Sequence, residues 1–225
     1  MTYHFKLTLS VFIVFSSSNS FAQMITHDNE LFGGAYGIQE KEYIEGSRYL
    51  NDDFIIGDIY YDDSLQITEI PLRLNLHNDE LEFLQYDSVY AIAQPYRIDK
   101  VVLGNDDFIY INHRTNAEIS GYVKLWNVGY PMFITKMRVD FYKKVSGQAF
   151  VESHPDRFER APDKQYLVKS ENEIIEITST KKLIKLLEDH AQELTTFAKE
   201  RKISGKDPAP MAKLLNYYHT IQQNL

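Results

Sequence analysis

The clearest hydrophobic pattern in the chain runs from Ile70 to Leu84. Leu72, Leu74 and Leu76 alternate with Arg73, Asn75 and His77, then Leu81 and Phe83 alternate with Glu80 and Glu82. Alternation at period two marks a strand with one buried face. With Asn78-Asp79 as a two-residue loop, the pattern predicts a hairpin in which Leu76 faces Leu81, Leu74 faces Phe83, His77 faces Glu80 and Asn75 faces Glu82. Further hairpins are predicted from residues 54–61 and 65–72 around Asp62-Asp63-Ser64, and from 98–103 and 108–112 around Gly104 to Asp107. Two more come from 122–127 and 132–142 around Val128 to Pro131, and from 165–169 and 174–178. Residues 23–37, with Gly33, Gly34 and Gly37, read as a linker, and 146–163, with two prolines, as a long connection. No crossover helix separates the strands, so they are expected to pair antiparallel, as a meander that closes like a barrel or folds as a sandwich.

From Ser179 the period changes. Leu183, Leu186, Leu187, His190, Leu194, Phe197 and Ala198 recur at helical spacing, with Ser179 or Thr180 as cap and Gly205 beyond the end. A second helix is predicted from Asp207-Pro208, with Met211, Leu214, Leu215 and Tyr218 on one face. The expected fold is therefore α+β: a mainly antiparallel β domain over 23–178 and a C-terminal two-helix hairpin over 179–225, packed on the sheet.

Residues 1–22 have the parts of a secretory signal: Lys6, an apolar run from Leu7 to Phe15, and Ser20-Phe21-Ala22 before the expected cut. That run is too short to span a bilayer, which takes about 20 residues, and no later segment is longer. The expectation is an exported protein of periplasm or exterior without a transmembrane segment. The chain has no cysteine, which rules out a lipoprotein anchor and a disulfide framework. Charge is uneven: residues 23–123 hold 19 Asp+Glu against 6 Lys+Arg, and residues 124–225 hold 13 against 17. The halves are expected to attract each other, and the acidic half disfavours nucleic acid and anionic lipid.

Candidate chemistry is sparse. NDDFII at 51–56, NDELEF at 78–83 and NDDFIY at 105–110 repeat at a spacing of 27 residues. Adjacent acids on an extended chain point to opposite sides, unlike the alternate acids of a calcium loop, so these read as turns in a hairpin rhythm. The metal candidates are His77, Asp79, Glu80, Asp106 and Asp107, near hairpin tips. The remaining histidines beyond residue 22, His27, His113, His154, His190 and His219, form no ligand motif, and His190 falls on an apolar helical stripe. Tyr60, Tyr61, Trp126 and Tyr130 are candidates to line a ligand groove, or else cross-strand aromatic packing. No nucleophile motif or phosphate loop is present, and KERKISGK at 199–206 complements a helix C-terminus. No cofactor is implied.

The runs YLNDDFIIGDIYYDD, IPLRLNLHNDELEF, RFERAPDKQYLVKS, KKLIKLL and NYY resemble, in order, a family of uncharacterised exported proteins of Gram-negative bacteria. The resemblance implies export and no particular activity. The expected function is binding in the cell envelope, as a structural or interaction module with an envelope protein or apolar small ligand as partner. The alternatives are a carrier of a lipid or other apolar ligand and a metal-dependent hydrolase.

Overall fold

The structure is a computed structural model that describes residues 36–37, 44–61, 65–112, 118–144, 155–170 and 173–223. The signal segment, Gly33-Gly34, the turn at 62–64, His27, His113, His154 and residues 146–154 of the predicted 146–163 connection lie outside them. Among the described residues, eleven strands form one antiparallel sheet in the order β1-β5-β4-β3-β2-β6-β7-β8-β9-β12-β13, and β10 pairs with β11 beside it. The strands are β1 Tyr36–Gly37, β2 Ile55–Tyr61, β3 Leu65–Asn75, β4 Glu80–Gln85, β5 Ser88–Ala91, β6 Ile98–Leu103, β7 Asp106–Ile111, β8 Gly121–Leu125, β9 Met132–Lys136, β10 Val139–Tyr142, β11 Arg157–Arg160, β12 Lys164–Ser170 and β13 Glu173–Ile177. Helices α1 Thr180–Leu186, α2 Ala191–Glu200 and α3 Pro208–Gln223 follow. The antiparallel meander and the C-terminal helices are those the periodicities predict.

Several expectations need correction. The β3–β4 register is Leu72 against Phe83, Arg73 against Glu82, Leu74 against Leu81 and Asn75 against Glu80. It differs by two residues from the predicted one, because residues 76–79 form a four-residue turn rather than Asn78-Asp79 a two-residue loop. Asn75 sets that turn: its Oδ1 accepts from His77 N and Asn78 N, both at 3.1 Å, and Asp79 takes a φ of 56°. A shift of two keeps every side chain on its face, so hydrophobic alternation cannot distinguish the two registers. The predicted linker ends in β1, paired with β5, and the predicted 146–163 connection contains β11. The predicted strand 132–142 breaks at Met137-Arg138, and the predicted first helix breaks at Leu187, where a single 3-10 turn of residues 188–190 joins α1 to α2.

The sheet does not close into a barrel, but it curls. One apolar cluster gathers Ile59, Ile67, Leu72, Leu74, Phe83, Val101, Phe108 and Tyr122 with Met137 and Val139 beyond β9, strands that a flat sheet would hold far apart. A bulge assists: between Gly57 and Ile59 of β2, β3 advances from Ile70 to Ile67. The extra residue lets Ile67 and Ile70, three apart in sequence, both turn inward, and bulges add local twist. Side chains fill the inside of the curl. A second cluster joins Phe133, Leu167 and Ile177 of the sheet to Leu183, Leu194, Met211, Leu214 and Leu215 of the helices, so the helices cover the β9-β12-β13 end. Ser179 caps α1 by accepting from Lys182 N at 3.2 Å, and Asp207 Oδ1 accepts from Ala209 N at the start of α3.

Candidate functional site

The polar face of β3 and β4 is covered rather than solvated. Where β2 stops pairing with β3 at Leu72, residues 48–50 continue along its edge through Leu50 N to Leu74 O at 2.9 Å and Leu76 N to Arg48 O at 2.8 Å. This lays Tyr49 and Phe54 on the Arg73 guanidinium, at 3.7 Å and 4.3 Å from the ring centroids. Arg73 donates to Glu82 Oε2 from Nη2 at 2.8 Å and Nε at 3.2 Å, while Asn75 donates to Glu82 Oε1 at 3.0 Å. Tyr49 OH and Asp52 O each accept a further hydrogen bond from the guanidinium. Glu82 has no exposed side-chain surface. A buried pair supported by further hydrogen bonds to both partners holds its geometry, so this is a structural lock. The NDDF of residues 51–54 serves as part of its cover.

The acidic metal candidates do not converge. His77 Nδ1 lies 3.0 Å from Val139 O, and its ring meets Phe158 edge-on at 5.1 Å. Glu80 Oε2 accepts a hydrogen bond from Asn78 Nδ2 at 3.1 Å. Asp106 pairs with Lys124 at 2.5 Å and Asp107 with Lys100 at 3.2 Å. Asp79 pairs with Lys136 at 2.6 Å. Among the described residues, no three His, Cys, Asp or Glu gather where they would hold a metal ion. The pairs Asp106–Lys124, Asp79–Lys136 and Glu118–Lys164 each join the acidic and basic halves of the chain, as the charge asymmetry predicts.

Asp79 and Lys136 form an ion pair in which burial shifts both partners. Burial raises Asp79 from its ordinary value, against the pull of Lys136, and burial lowers Lys136, against the pull of Asp79. Burial also raises Tyr110 and Tyr122 beside them, and the Tyr122 hydroxyl has no partner among the described residues. Shifted groups of this kind gather at active sites, but structural ion pairs shift too. Here Lys136 Nζ is spent on Asp79 and on Tyr122 O at 3.4 Å, fastening the β3–β4 turn onto β8 and β9. Gly121 makes the approach possible. A Cβ there would stand 2.4 Å from the Asp79 carboxyl carbon, and its φ is +101°.

The aromatic candidates divide between two places. Tyr60 accepts from Gln66 and lies under Lys100, and Tyr61 is buried under Arg97. Trp126 donates to Thr135 Oγ1 at 2.8 Å and lies under Lys124. Tyr130 lines a cleft of about 480 Å³ with Pro131, Leu186, Leu187, Asp189 and Tyr218. Burial and a hydrogen bond to Asp189 push Tyr218 up to about 12. His219 Nε2 reaches Asn127 Nδ2 at 3.0 Å and Pro131 O at 3.2 Å, tying α3 to the same loop. His190 packs edge-on against Tyr218.

A larger cleft, about 630 Å³, opens between α1, α2 and the turn before α3. Ile184, Ala198 and Ile203 form its apolar floor, and Lys181, Lys199 and Lys202 stand exposed on its rim. Gly205 O accepts from Thr180 N at 3.0 Å and Thr180 Oγ1 at 3.2 Å, while Ile203 N donates to Ala198 O at 2.8 Å, so both walls are tethered. The predicted cluster 199–206 hinted at this rim, but Lys181 comes from a different helix. No helix among the described residues is long and apolar enough to cross a membrane. Searches of protein families, curated proteins and solved structures return no match to this chain.

Proposed function

We propose that the protein acts by binding in the cell envelope after export, and that its helical end is the binding surface. The observation that carries this reading is a contrast in how charges are used. The carboxylates that suggested chemistry are engaged by neighbouring lysines, arginine or amides, whereas the lysines around the helical cleft have no described carboxylate within ion-pair distance. Export rests on the signal-like residues 1–22 and on the resemblance to exported proteins. Native mass spectrometry of the protein purified from cells tests the reading. A specifically copurifying partner or small ligand is expected, and robust turnover of an envelope substrate would sink it.

A carrier of an apolar ligand is the second reading, and the larger cleft favours it. The inside of the curled sheet is occupied by side chains such as Leu72, Phe83, Phe108 and Tyr122, so a carried molecule would sit among the helices instead. Recovery of a protein partner without any small ligand would count against the carrier and leave binding standing.

A further inference from the structure

We infer that the cleft between α1 and α2 is a site for a long-chain carboxylate, with the alkyl chain on the Ile184–Ala198–Ile203 floor and the carboxylate at the Lys181, Lys199 and Lys202 rim. This rests on the binding reading above and names its ligand. Size is the first support: about 630 Å³ lies within the roughly 300–1,000 Å³ of small-molecule pockets, whereas a stable protein partner needs about 800 Å² of surface on each side. Lining chemistry is the second. Ala198 and Ile203 are buried at the base and Ile184 is half-buried, a surface that gains from contact with methylenes.

Charge is the third support. Within the sheet, the lysines at 100, 124, 136 and 164 each reach a carboxylate, whereas none of the three rim lysines has a described carboxylate in reach. The three rim lysines, Lys181 in the first turn of α1, Lys199 in the last turn of α2 and Lys202 in the turn that follows, gather their charge at one opening. An anion there meets the lysines without displacing a described acid. Preorganisation is the fourth, because the Thr180–Gly205 and Ala198–Ile203 hydrogen bonds fix the walls before a ligand arrives, which lowers the cost of ordering on binding. An anionic membrane is a poorer fit: the chain carries a net charge of −8, which repels an extended negative surface but not a single anion at a locally basic cleft.

Isothermal titration of the purified, delipidated protein with dodecanoate below its micelle concentration tests the site, with acetate and the uncharged amphiphile dodecyl maltoside as controls. Dodecanoate is expected to bind with a stoichiometry of one, acetate not to bind, and the maltoside to bind more weakly. The double variant Lys199→Gln/Lys202→Gln is expected to weaken dodecanoate by about tenfold or more, with an unchanged melting curve because both side chains are exposed. No binding of dodecanoate overturns the inference, as does equal binding by wild type and double variant. Lysine-dependent sedimentation with phosphatidylglycerol vesicles in the absence of dodecanoate binding also overturns it, in favour of a membrane surface. Failure here with a partner still copurifying leaves the binding reading intact, whereas catalytic turnover overturns that reading whatever dodecanoate does.

Discussion

In the sheet, Arg73, Lys100, Lys124 and Lys136 each lie on a carboxylate. At the helical end, Lys181, Lys199 and Lys202 surround an apolar floor with no described carboxylate in reach. The first group is placed where strands must meet: Arg73 at the covered face of β3–β4, and Lys136 where the β3–β4 turn lands on β8. Charges spent this way define geometry. Charges left at the mouth of a cleft do little for the fold and are free for a ligand. The same residue type therefore has opposite expected consequences in the two regions, and substitutions separate them.

The largest effect is expected at Glu82. Replacing it with Ala leaves the Arg73 guanidinium buried without its carboxylate and Asn75 without its acceptor, and should cost about 3–5 kcal/mol in urea unfolding. A cost below about 1 kcal/mol would show that the cover formed by residues 47–54 is loose.

The Asp79–Lys136 pair should respond in the other direction. Its ammonium is buried and its carboxylate partly so, and burial outweighs their mutual attraction at both groups, as the raised Asp79 and lowered Lys136 indicate. The double variant Asp79→Asn/Lys136→Met keeps a residue that tolerates the positive φ of 56°. It should gain about 1 kcal/mol at neutral pH, the low end of the roughly 1–4 kcal/mol found when buried pairs are replaced. The pH dependence has a definite sign. Because the folded Asp79 pKa lies above its ordinary 3.8, its favourable contribution is fully present below 3.8 and is lost as pH rises through the raised value. Lys136, held below 10.5, contributes a penalty that is relieved as pH climbs from its lowered value towards 10.5. Wild-type stability relative to the double variant should thus fall as pH rises from about 3.8 through the raised Asp79 value and recover towards 10.5. A flat difference across that range would mean that the pair is better solvated than its burial implies.

A smaller effect is expected at the start of α1. Ser179→Ala removes the acceptor for Lys182 N and should cost about 1 kcal/mol, read from the midpoint of denaturation. Smallest of all, Lys199→Gln should change stability by no more than about 0.5 kcal/mol. A larger loss would place that lysine among the structural charges and weaken the contrast between the two regions.

How much of this was readable in advance follows from the range over which each signal acts. Leu72, Leu74, Leu81 and Phe83 announce a buried face because alternation is local, and Ser179, Asp207 and Pro208 announce helix starts because caps act within a turn. Parity, however, is all that alternation supplies, so the true partnership of Arg73 with Glu82 was hidden by a turn two residues longer than the shortest one. The bulge at Ile67 and Ile70 breaks the alternation of β3, and a spacing of three between inward residues of one strand is its signal. Asp79 and Lys136 are 57 residues apart, and nothing near either one names the other. The rim of the helical cleft was half visible: Lys199 and Lys202 share one basic run, but Lys181 joins them only because Thr180 is hydrogen-bonded to Gly205.

Strand β13 closes the sheet order on one side, and it carries Glu173 and Glu176. An unpaired strand edge invites a second molecule to extend the sheet, and like charges across such a junction repel. Two copies aligning their β13 strands would bring these glutamates together. The acidic outer strand thus works against a second copy adding to the sheet at this edge.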